Sequence, residues 1–131
     1  MVSILSIDGG GIRGIIPAAF LIELEKRTGK PVSELFDLVA GTSTGGILAA
    51  ALTVPDRSIK TAGRNKPKYT AKQVLDAYFE HGGEIFHRSP LRAVRTLGGL
   101  IRPIYSPRGL DKMLDRYLGG ARLPETLTEI L

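Results

Sequence analysis

Cysteine is missing from all 131 residues, and so is tryptophan. Without cysteine there are no disulfides and no thiolate metal sites, a composition that fits a reducing compartment. Histidine occurs only as His81 and His87, too few for a zinc cluster of the usual kind, so no metal is expected. No apolar run approaches the roughly 18 residues needed to cross a bilayer. The opening Met1-Val2-Ser3-Ile4-Leu5-Ser6-Ile7-Asp8 has no basic start and so does not read as a secretory signal. These absences lead to an expectation of a cytoplasmic protein, peripheral to a membrane where it meets one.

What is present is enough for one domain. Hydrophobic residues make up 43% and charged residues 24%, so the chain can bury a core. The net charge of +5 is unevenly placed. From Arg57 to Arg108 there are 11 Lys and Arg against 3 acidic residues, whereas the remainder is net acidic. That 57–108 stretch is a candidate for contact with anionic headgroups; a solvated basic loop is the plain alternative.

Val2 to Ile7 reads as a short buried strand, and Ile15 to Arg27 as a helix with Pro17 tolerated in its first turn. Gly29 and Pro31 end that helix. Leu35 to Ala40 reads as a second strand, followed by a small-residue helix over about 45–52. Thr53 to Tyr69 reads as a surface loop. Thr70 and Gln73 form a capping box for a helix reaching about Gly82. Ser106 starts a further helix ending at Leu118, with Gly119 just past its end. Thr128 to Leu131 looks like the start of another strand. Strand, turn and helix repeated in this order imply parallel strands with both turns at their carboxyl ends.

Two turns carry the chemistry. Gly41-Thr42-Ser43-Thr44-Gly45 is a G-x-S-x-G pattern between a strand and a helix, the setting of a nucleophile elbow. A serine merely capping the helix is the alternative. Asp8-Gly9-Gly10-Gly11-Ile12-Arg13-Gly14 is a run of backbone donors before a helix, suited to a developing oxyanion. Gly9, Gly11 and Gly14 also match G-x-G-x-x-G, so a nucleotide-binding module must be weighed. Its acid about 20 residues on would be Asp37, which falls inside the apolar segment rather than at its end. A Walker A loop is excluded, because Gly14 is followed by Ile15 and Ile16 rather than Lys and Ser or Thr.

The runs Ile4-Leu5-Ser6-Ile7-Asp8-Gly9-Gly10-Gly11-Ile12-Arg13-Gly14-Ile15-Ile16-Pro17 and Phe36-Asp37-Leu38-Val39-Ala40-Gly41-Thr42-Ser43-Thr44-Gly45-Gly46 resemble the opening and the elbow of patatin-like phospholipase domains. The resemblance implies an α/β fold, a three-layer α/β/α sandwich with a mainly parallel sheet. It implies hydrolysis of phospholipid or other acyl-ester lipids by a Ser-Asp dyad. Ser43 would be the nucleophile, Gly9, Gly10, Gly11 and Arg13 the oxyanion site, and Asp8, Gly14, Gly41 and Gly45 supporting motif positions. No cofactor and no nucleic-acid partner are implied.

The family's Asp sits in a D-G-G or D-G-A motif after the elbow, and the only Asp-Gly pair here is Asp8-Gly9. Asp56, Asp76, Asp111 and Asp115 lack that context, so the general base is unassigned. The expectation is that residues 1–131 form the N-terminal portion of one such domain, weakly active or inactive alone. A nucleotide-binding module using the Gly9–Gly14 turn and a silent lipid-binding fragment are the remaining rivals.

Overall fold

The structure, a computed structural model, describes residues 1–58, 65–85 and 107–131. Its centre is a three-stranded parallel sheet in the order β1 (Ile4–Ile7), β2 (Leu38–Gly41) and β3 (Glu129–Ile130). Parallel neighbours need crossover connections, and the chain supplies them with helices. A 3-10 turn, Gly11–Gly14, leads from β1 into α1 (Ile15–Thr28). A one-turn helix, α2 (Val32–Leu35), precedes β2, and α3 (Thr44–Thr53) follows it. Beyond these lie α4 (Ala71–Ile85) and α5 (Pro107–Leu118). The α/β class and the parallel pairing agree with the sequence reading.

Local chemistry sets the boundaries. Gly29 closes α1 in the left-handed region at φ 67°, its N–H donating to the Glu25 carbonyl at 2.8 Å. That is the usual use of glycine after a helix end. Thr70 and Gln73 cap α4 reciprocally. The Thr70 N–H donates to Gln73 Oε1 at 2.9 Å, and the Gln73 N–H to Thr70 Oγ1 at 3.3 Å. Gly119 closes α5 at φ 58°. The Ser106 cap and the Ser89–Tyr105 segment lie outside the described residues, as does most of the basic 57–108 stretch.

One expectation needs correction. Leu35 does not begin a strand; it ends α2, whose start is set by Pro31 in extended conformation (φ −68°, ψ 156°). The apolar run from Leu35 therefore divides into the end of a helical turn and a shorter strand beginning at Leu38.

The core is built on α3. Leu48, Ala49 and Leu52 are buried, together with Ile7 and Val39 of the sheet, Ala18 and Leu21 of α1, Val32, and Val74 and Tyr78 of α4. One carboxylate ties three helices: Glu25 of α1 accepts the Val32 N–H at 3.2 Å and the Ala71 N–H at 2.9 Å. Those are amino ends of α2 and α4, where negative charge is favoured. No helix among the described residues is long and apolar enough to cross a membrane.

Candidate active site

Register brings the two turns together. Ile4 pairs with Leu38 and Ile7 with Gly41, so β1 and β2 finish level. The turn after each strand therefore leaves the same end of the sheet, the end at which open α/β sheets hold ligands. The Thr42 N–H adds one last bond, to the Ile7 carbonyl at 3.2 Å. Past it, the Gly9 N–H donates to Thr42 Oγ1 at 2.9 Å and the Gly10 N–H to Thr44 Oγ1 at 3.1 Å.

The approach is too close for side chains. A Cβ on Gly9 would lie 2.6 Å from the Thr42 carbonyl oxygen and 2.8 Å from Ser43 Cβ. One on Gly45 would collide with the Ile7 carbonyl, and one on Gly41 with the Gly45 backbone. Gly14 is buried under Tyr78, with the phenol oxygen 2.9 Å from where its Cβ would stand.

Ser43 occupies the tip. Its φ of 53° and ψ of −120° make it the one non-glycine residue with positive φ among those described. Such a backbone costs roughly 1–3 kcal/mol for a residue with a side chain, so the surrounding packing must impose it. Ser43 stands at the N-cap of α3, yet its side chain makes no capping hydrogen bond. The capping role therefore does not account for this serine. It is exposed, and α3 runs away from it with its positive dipole end nearest the hydroxyl.

The remaining residues singled out from the sequence fall around it. Asp8 is exposed at the start of the glycine turn. Gly11 lies at φ 60° and opens the 3-10 turn; its N–H has no partner among the described residues. Arg13 is exposed and leans back on its own turn, Nε donating to the Gly10 carbonyl at 3.4 Å. A strained serine beside crowded backbone donors is an arrangement suited to acyl transfer.

Four other titratable groups, Asp37, Asp56, Asp76 and His81, are engaged elsewhere. Asp37 precedes β2 and sits at the opposite end of the strand from Ser43. There it accepts the Ser3 N–H at 2.8 Å and the Ser3 hydroxyl at 2.9 Å. These bonds, the backbone one first, hold its carboxyl below the usual carboxylate range. A dinucleotide site needs its acid at the carboxyl end of that strand, so Asp37 does not serve one. Asp56 accepts the hydroxyl and N–H of Ser58, and Asp76 pairs with Lys72 at 2.8 Å. His81 meets Tyr117 edge-on, ring centroids 5.8 Å apart. His87 lies outside the described residues.

Three residues near the site were not singled out from sequence: Thr42, Thr44 and Tyr78. The threonines carry a faint signal, since hydroxyls on both sides of Ser43 face a donor-rich turn. Tyr78 carries only its helical spacing and a weak echo of the family over residues 78–82. An apolar crevice lies beside it between α3, α4 and α5, walled by Ile47, Ala51, Val74, Tyr78, Leu114 and Leu118.

The family model for patatin-like phospholipase matches residues 5–130. The chain is 39% identical over 137 residues to patatin-T5 and to patatin group M-1 of Solanum tuberosum, each match covering 99% of this chain and 32% of the relative. Patatin-17 of Solanum cardiophyllum is 38% identical over 138 residues, covering 100% of this chain and 32% of that protein. The chain thus spans about a third of the length of these curated relatives.

Proposed function

This chain belongs to the patatin-like phospholipase family, and from that premise we propose that it carries the nucleophile and oxyanion-binding half of a lipid acyl hydrolase. Ser43 Oγ attacks the carbonyl carbon of an acyl ester. The tetrahedral intermediate collapses by breaking the bond to the alcohol oxygen, which leaves with the proton that the Ser43 hydroxyl gave up on attack, while the acyl group stays on Ser43. Water then releases the fatty acid and restores the hydroxyl.

The observation that carries this reading is the backbone of Ser43: strained, exposed, uncapped, and held against the tri-glycine turn. Strain of this kind persists where packing presents a side chain for use. The turn of Gly9, Gly10 and Gly11 supplies the oxyanion site of this reading, with Arg13 adding positive charge. Loss of one oxyanion donor typically costs about 10²–10³ in turnover. Gly45 lets the elbow approach β1, Gly41 lets the elbow close on itself, Gly14 admits Tyr78 against the glycine turn, and Asp8 opens that turn. A general base is not assigned to any residue of this chain. The acyl-ester substrates lie at a lipid–water boundary, and the basic 57–108 stretch is the proposed contact with it. With no cysteine to oxidise, a cytoplasmic location is part of the same reading.

The test is acyl-enzyme formation. Mixing the protein with a p-nitrophenyl ester and quenching in acid should leave one acyl group on the peptide containing Ser43. Ser43→Ala should abolish it. An adduct that persists in Ser43→Ala, or that forms only on other residues, would overturn the assignment.

A further inference from the structure

The β1–β2 ladder ends at the bond from the Thr42 N–H to Ile7, and both chains then turn away. From there on, the two turns are tied across by only two hydrogen bonds among the described residues: Gly9 N–H to Thr42 Oγ1 and Gly10 N–H to Thr44 Oγ1. Thr44 is 3% exposed, and its branched side chain has little freedom to swing away. Its own backbone carbonyl is held from the other side by the Tyr78 hydroxyl at 3.2 Å. The spacing between Ser43 and the glycine turn is therefore set by the hydroxyls flanking the serine.

We propose that Thr42 and Thr44 are positioning residues for acyl transfer. Their hydroxyls engage the N–H groups of Gly9 and Gly10 and so fix the turn, leaving the Gly11 N–H as the tri-glycine donor that meets the oxyanion. This rests on the reading of Ser43 as nucleophile and narrows it. A hydroxyl can accept from an N–H; a valine of nearly the same shape cannot, whereas serine can.

The experiment compares Thr42→Val, Thr42→Ser, Thr44→Val and Thr44→Ser with the unaltered chain. One readout is the rate of fluorophosphonate labelling at Ser43. The other is amide hydrogen exchange at Gly9 and Gly10 by NMR. Each valine variant should label roughly 10-fold slower or worse at saturating probe, with the half-saturating concentration unchanged, because a misplaced reacting group costs rate rather than binding. Each serine variant should restore most of the rate. Protection should be lost at Gly9 in Thr42→Val and at Gly10 in Thr44→Val. Valine variants that label at the original rate or faster would overturn the proposal, as would serine variants no better than valine. If Thr44→Val does not fold, the exposed Thr42 pair decides. Absence of labelling in the unaltered chain with both amides protected would overturn the nucleophile reading instead. Unprotected amides would overturn the positioning role whatever the labelling.

Discussion

The phenol of Tyr78 donates to the backbone carbonyl of Thr44 at 3.2 Å, joining α4 to the residue that follows the candidate nucleophile. Burial pushes this phenol up to about 12. The sign follows from which form is buried: the neutral phenol is favoured in the folded state. Its contribution is present in full below the unfolded value, near 10, and is lost as pH rises through the folded value. Tyr78→Phe should therefore destabilise by about 1 kcal/mol at neutral pH. It should also flatten the fall in stability between pH 10 and 12 relative to the unaltered chain, measured by urea midpoints across that range.

Ser43 pays for its backbone in stability. Glycine adopts its φ of 53° without a Cβ penalty, whereas alanine keeps the strain. Ser43→Gly should be more stable than Ser43→Ala by about 1 kcal/mol, although glycine normally loses such comparisons. Chemical denaturation of the two variants checks this. Equal stability, or a more stable alanine variant, would mean that the turn is not strained at this position.

Adjacent glycines at the start of α3 should behave differently. A Cβ at position 45 would run into the Ile7 carbonyl, a backbone atom that cannot swing aside. One at position 46 would lie 3.2 Å from the Gly41 oxygen, a contact eased by a small shift. Gly45→Ala should cost more than about 3 kcal/mol or fail to fold, while Gly46→Ala should stay within about 1 kcal/mol of the unaltered chain. Thermal melts of the pair separate the two cases.

Acid should loosen the amino end of the sheet. Ser3 donates both its N–H and its hydroxyl to Asp37, and these bonds depress the Asp37 carboxyl. A depressed carboxyl contributes stability above its unfolded value, near 3.9, and loses it as pH falls through the lower folded value. The stability difference between the unaltered chain and Asp37→Asn should be largest at neutral pH and shrink below about pH 4. Urea midpoints from pH 7 to pH 2 measure it; a difference independent of pH would contradict the linkage.

Much of this was readable in the sequence, for reasons that are local. Gly29 and Gly119 marked helix ends because a left-handed residue follows a helix and glycine supplies it. Thr70 and Gln73 marked a helix start because their bonds span three residues. The two glycine turns were visible because strand, turn and helix follow one another directly. What escaped depends on distant partners. Gly9 meets Thr42 across 33 residues, and Ser3 meets Asp37 across 34. No periodicity encodes such pairings; they arise once β1 and β2 align in register. The division of the Leu35–Ala40 run escaped because a one-turn helix is too short to show a periodicity, so Leu35 at its end reads the same as a strand residue.

The account stands on Ser43 being held ready as a nucleophile by the folded turn. Its most direct test is fluorophosphonate labelling of the folded protein, mapped to individual residues by mass spectrometry and repeated after denaturation. The account predicts modification at Ser43 in the folded protein, none in Ser43→Ala, and none once the turn is unfolded. A folded protein whose Ser43 labels no faster than its other exposed serines would contradict it.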